Sequence, residues 1–242
     1  GGGTGGSGFG GSGGFGEAGG FRGGPGFDIS AAIHYRTIHG ILAALAMVVL
    51  FPVGSVAMRL LPGRLALWAH GLFQLAAMCI FIAGVGLGIY LVRMVRIPGT
   101  DGNLVSVSFF SLLTNDSTKY HPIVGLVTLA TLLPQPILGW LHHRRFKQVQ
   151  RRQFWSYLHI FNGRIGVTVG IINGGLGLQL AGASADRKRT YIIVAAVMWT
   201  LWMLVAIVAE MRRLRSGRRA ERATERRMTA GRVAKVGSGD TR

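Results

Sequence analysis

Residues 155–180 read WSYLHIFNGRIGVTVGIINGGLGLQL, from Trp155 to Leu180, with Arg164 as their single formal charge. Twenty-six residues at about 1.5 Å each give a helix of roughly 39 Å, enough to cross the ~30 Å hydrocarbon core of a bilayer. Within it His159, Gly163, Gly166, Gly170, Gly174 and Gly177 recur at spacings of four and three, which places them on one helix face. An imidazole in hydrocarbon is costly unless its nitrogens find partners, so a histidine at the head of a glycine stripe marks a candidate functional site.

Outward from this stretch, residues 38–58, 65–92, 121–141 and 190–209 are also long, apolar and free of formal charge. Pro, Gly or basic residues bound each of them, and Tyr90, Tyr120, Trp140, Trp155 and Tyr191 stand near the ends, where amphipathic rings favour the membrane interface. With 49% hydrophobic and only 15% charged residues, the chain is too apolar and too segmented for one soluble domain. The expected fold class is all-α, a polytopic membrane bundle of five transmembrane helices. The one cysteine, Cys79, lies inside the second span, which excludes an internal disulfide and a cysteine-based metal site.

Lysine and arginine set the expected orientation. With the amino terminus outside, the inner segments hold 18 of the 27 basic residues and the outer ones eight, Arg164 uncounted. The positive-inside rule then places the tail in the cytoplasm. Eleven Lys or Arg follow Glu210. In a membrane protein their expected partner is the anionic inner-leaflet surface, at roughly 1 kcal/mol per residue, and not nucleic acid. Residues 1–33 are dominated by Gly and read as a flexible extracellular linker. No charged leader precedes an apolar run at the start, so the chain reads as a piece whose targeting signal and an extracellular domain lay upstream; a plain low-complexity tail is the other reading. Residues 34–212 form the expected transmembrane domain and 213–242 a basic cytoplasmic tail.

Alternating helix direction sorts the histidines by depth. His39 and His121 open the first and third spans on the outer side, and His70 and His159 open the second and fourth on the inner side. Only His39 with His121 and His70 with His159 can then meet. His34, His142 and His143 stand at span edges and read as interfacial histidines. In the second span His70, Gln74, Ala77, Phe81, Gly84 and Gly88 follow the rhythm of the fourth, and Gly125 follows His121 by one turn. Small stripes also let membrane helices pack closely, but in register with a histidine on facing helices they favour a flat porphyrin. Zinc asks for three or four ligands, whereas haem iron asks the protein for two axial ones. No Asp or Glu lies inside these spans to enlarge a ligand set. The expectation is two haems, one per leaflet, held by His39, His70, His121 and His159.

The segments His39-Gly40-Ile41, Trp68-Ala69-His70-Gly71, Tyr120-His121-Pro122-Ile123-Val124-Gly125 and Leu158-His159-Ile160-Phe161-Asn162-Gly163-Arg164, followed by Gly170-Ile171-Ile172-Asn173-Gly174-Gly175-Leu176-Gly177, resemble the cytochrome b561 / ferric reductase transmembrane domain over residues 34–212. The likeness is to the branch in which this domain follows an extracellular DOMON domain, as in many fungal and animal proteins. It implies two b-type haems in a four-helix core; Gly125, Gly166 and Gly170, from the small-residue stripes, and Arg164, the one charge inside a span, are the further candidates for lying against them. It also implies electron passage from a cytoplasmic reductant such as ascorbate to an outer ferric chelate or an attached redox domain, hence a ferric-chelate reductase or ascorbate-dependent oxidoreductase of the plasma membrane or an endomembrane. The chain has five spans where ascorbate-type members have six, with none before the first histidine, which leaves the substrate open. Arg59 and Arg64 are candidates for holding an anionic reductant or haem propionates on the inner side, with Lys119, Tyr120 and Arg36 in the matching outer position. A proton-relaying transporter bundle and a non-redox membrane anchor are the other readings, and a homodimer is left open.

Overall fold

The computed structural model describes residues 29–94, 96–98, 104–106, 120–149 and 151–239. Most of the expected Gly-rich linker lies outside them, as do Lys119 and the last three residues. Helix α1 (Ile29–Ala44) begins within residues 1–33, so the last five residues of that stretch are helical.

Helix α1 runs through a π-helical turn (Leu45–Leu50) into α2 (Phe51–Leu60) as one rod. Pro52 explains the turn: it has no N–H to donate, and the Phe51 N–H reaches the Ala46 carbonyl, five residues back. The chain reverses at Gly63, whose φ of +54° suits a residue without Cβ. Helix α3 (Gly63–Met94) returns along α1 and α2. A small antiparallel hairpin follows, β1 (Arg96–Pro98) on β2 (Leu104–Ser106), with Ile97 opposite Val105. Helix α4 (Tyr120–Leu132) and α5 (Gln135–Val149) are broken by the turn at Pro134, where a proline cannot supply the helical donor. Helix α6 (Phe154–Leu180) starts at a capping box in which the side chains of Gln153 and Ser156 meet each other's backbone N–H. Helix α7 (Ala185–Gly239) carries both the last apolar segment and the basic tail in 55 residues.

Among the described residues, four helical units are long and apolar enough to cross a membrane: Ser30–Leu60, Gly63–Val92, Tyr120–Val149 and Ala185–Ala230. The fourth expected span, α6, has the length at 27 residues but is diluted by Asn162, Arg164, Asn173 and Gln179. It runs antiparallel to α4 and α5 from end to end. Gly177 faces His121, Gly166 faces Leu132, and His159 faces Gly139; Asn162 donates to the Thr131 carbonyl beside the proline break. The molecule is an all-α polytopic membrane bundle.

Trp68, Leu72, Ile82, Ile192, Val197, Leu201 and Leu204 are exposed. On a water-soluble protein so much apolar surface would aggregate; here it is the lipid-facing side. The buried cluster of Met47, Phe51, Ala77, Met78, Phe81, Leu132, Val167, Ile171, Ala195 and Trp202 draws on all the long helices. Along α6 it lies between the levels of His159 and His121.

Candidate haem sites

The pair expected on the outer side, called the outer pair below, is His39 on α1 and His121 on α4. Their ring centroids are 5.9 Å apart and the planes cross at 84°. His39 Nδ1 donates to the Gly84 carbonyl at 2.7 Å. His121 Nδ1 donates to the Asn173 carbonyl at 3.1 Å, with the Asn173 Oδ1 at 3.2 Å. A carbonyl only accepts, so Nδ1 carries the proton and Nε2 keeps its lone pair. Each ring also lies against a glycine: an alanine Cβ at Gly88 would sit 2.9 Å from His39 Cε1, and one at Gly177 would sit 2.8 Å from His121 Cε1.

The pair expected on the inner side, called the inner pair below, is His70 on α3 and His159 on α6, 6.2 Å apart with planes at 87°. His70 Nδ1 donates to the Gly54 carbonyl at 2.9 Å. His159 Nδ1 is buried and completes no hydrogen bond, and the buried side-chain amide of Gln135 is also unpaired. Gly139 seats this ring, its built Cβ 3.2 Å from His159 Cε1. His142, read from sequence as interfacial, instead stacks on His159 at 6.0 Å and 10° and is hydrogen-bonded to Ser156 Oγ at 2.7 Å. Fourteen residues of α6 separate His159 from Asn173, which holds His121; that is about 21 Å along the axis.

Around the inner pair, Arg59 on α2, Arg152 before α6 and Arg164 on α6 are charged neighbours of one another and of Glu210 on α7. Glu210 is shared, pairing with Arg152 at 2.8 Å and Arg213 at 2.7 Å, so cations outnumber the carboxylate. Arg59 also donates to the Ser55 carbonyl. Arg64 is exposed at the start of α3 and does not join this group. At the His39 end of the bundle, Arg36 donates to the Ala181 carbonyl, and Tyr35 meets Tyr90 edge to face one turn beyond His39.

The remaining glycine candidates face side chains rather than the paired rings. Gly125 meets Asn173 Nδ2, Gly166 meets Leu132 and Thr131, and Gly170 meets Met47. Tyr191, expected at the interface, turns inward and donates to the Ile171 carbonyl, its ring against Gly174. Sequence reasoning passed over Gln135, Gly139, His142, Arg152, Ser156 and Glu210. Only Ser156 carried a local signal, the capping pattern Gln153-x-x-Ser156.

One curated relative is a cytochrome b561 and DOMON domain-containing protein of Arabidopsis thaliana, 29% identical over 185 residues. The chain is similar to this cytochrome b561 and DOMON domain-containing protein over most of its own length. The match takes in 74% of this chain but 40% of that protein's length, whose name also records a DOMON domain. No family model matches the chain, and no solved structure matches it.

The residues present fit the b-type haem that this family name implies. Ring separations near 6 Å suit two imidazoles on opposite sides of one metal, each bonded at roughly 2 Å. A ligating histidine characteristically gives its second nitrogen's proton to a carbonyl, as His39, His70 and His121 do. Among the described residues no three His, Cys, Asp or Glu side chains converge. Each of the two ring pairs matches in number the two ligands that a porphyrin iron takes from protein.

Proposed function

We propose that the chain conducts electrons across the membrane through two bis-histidine haems b, with His39 and His121 as axial ligands on the outer side and His70 and His159 on the inner side. One observation carries this reading: two imidazole pairs of matched geometry stand at opposite ends of the same bundle. Haem supplies, when bound, an iron that takes up and releases one electron without a bond being made or broken in the protein.

The chain's own residues do the rest. The carbonyls of Gly84, Gly54 and Asn173 fix the tautomer and direction of three ligands. Met47, Phe51, Phe81, Leu132 and Trp202 fill the space between the pairs and keep water from it. At the inner face Arg59, Arg152 and Arg164 offer excess positive charge to an anionic reductant or to propionates, with Glu210 holding Arg152 in place. The donor is cytoplasmic, with ascorbate the first candidate. The acceptor is an outer ferric chelate or an attached DOMON-type domain. The amino terminus is outside and the tail in the cytoplasm, in the plasma membrane or an endomembrane.

Proteoliposomes test this directly. With ascorbate confined to the side of the basic tail, an impermeant ferric chelate on the other side should be reduced. Equal reduction after His39 and His121 are both replaced by Ala would take the outer pair off the path and sink the mechanism.

A further inference from the structure

We propose that Gly88, Gly139 and Gly177 are positioning residues that seat the imidazoles of His39, His159 and His121, a proposal that rests on the ligand assignment above. Each glycine comes from a different helix than the histidine it seats: Gly88 on α3 for His39 on α1, Gly139 on α5 for His159 on α6, and Gly177 on α6 for His121 on α4. For two of them the residue four positions earlier accepts a hydrogen bond at its backbone carbonyl from the Nδ1 of the same ring, Gly84 from His39 and Asn173 from His121. For Gly139 the contact of its would-be Cβ with the His159 ring is the observation.

The spacing has a geometric cause. In an α-helix the N–H of residue i+4 points at the carbonyl of residue i. An imidazole approaching that carbonyl from a neighbouring helix must therefore lie across the backbone at i+4. A Cβ there would meet the ring at 2.9 Å for Gly88, 3.2 Å for Gly139 and 2.8 Å for Gly177. The first and last lie below any ordinary contact, and the atoms met are a ring pinned by its hydrogen bond, not the free end of a flexible chain. Adding a methyl would turn the imidazole off its carbonyl and swing Nε2 away from its partner across the gap. Other glycines of the same helices lack this relation: a Cβ at Gly86 on α3 or at Gly175 on α6 would meet nothing within 4 Å.

The test is a set of single variants of the full chain, purified in detergent, read by haem content and by the low-spin ferric signals in low-temperature electron paramagnetic resonance. G88A and G177A should lose or shift the signal that H39A and H121A remove, and G139A the signal that H159A removes. In each the other site's signal should persist, which certifies the fold. G86A and G175A should match the unaltered protein. Unchanged signals in all three seat variants would overturn the proposal. So would loss of both signals from each of them, because that is what general misfolding produces. Unaltered protein that binds no haem would instead overturn the ligand assignment, and the seats with it.

Discussion

The outer and inner histidine pairs share ring separation and crossing angle but are supported by different materials. Backbone holds the outer pair: both Nδ1 atoms meet carbonyls and both rings rest on glycine. Side chains and charge surround the inner pair: His159 lacks a completed Nδ1 bond, His142 stacks on it, and three guanidiniums gather around one carboxylate. Backbone donors and acceptors are fixed by the fold, whereas a side-chain environment can be changed one residue at a time. The outer pair is thus built for rigidity, and the inner pair is where potential and substrate preference are open to tuning.

The largest expected effect is loss of a whole site. Replacing His39 or His121 by Ala should remove the same spectral component, and replacing His70 or His159 should remove the other. Matching losses from the His39 and His70 variants, with His121 behaving differently, would break the assignment of depths. Next comes the charged inner face. Arg59→Gln combined with Arg152→Gln should raise KM for an anionic reductant about tenfold or more, since one hydrogen bond to a charged group contributes roughly 1.5 kcal/mol and 1.4 kcal/mol is a factor of ten. The change should shrink at high ionic strength, because salt screens exposed charge; a salt-independent effect would point to lost packing instead.

A smaller effect separates the pairs by potential. A hydrogen bond donated by Nδ1–H to a carbonyl makes an imidazole a stronger electron donor to ferric iron and lowers the iron's reduction potential. His159 lacks that bond and has cations nearby, so the inner component should titrate at the more positive potential. The reverse order in a redox titration resolved by the His variants would show that the different supports do not govern the irons. Smallest is Ser156→Ala, which removes the α6 cap and the partner of His142. It should cost about 1 kcal/mol of stability and disturb only the inner signal; an equal change at the outer signal would deny the separation between the two regions.

The spans and the pairing of the histidines were legible because apolar length, alternating direction and helical spacing are local or additive properties. What surrounds each ring was not. The Gly54 carbonyl reaches His70 and the Asn173 carbonyl reaches His121 across 16 and 52 positions, and any residue type supplies a carbonyl. Glu210 sits 58 positions from Arg152 and looked like the last acid before a basic tail until α7 packed beside α6. His142 differs from an interfacial histidine only through its stack on His159. The glycine stripe of α6 was visible, but its members divide between Gly177, which seats a ring, and Gly166 and Gly170, which meet Leu132 and Met47. Helical periodicity groups residues on a face without saying what stands opposite.

Haem stoichiometry of the purified chain tests the central claim most directly. A pyridine haemochrome assay on folded, monodisperse protein should give two haems b per chain, all extractable with acid and organic solvent because no Cys-x-x-Cys-His is present for covalent attachment. Fewer than one haem per chain in such a preparation would contradict two bis-histidine sites and return the chain to the readings of an anchor or a proton-relaying bundle.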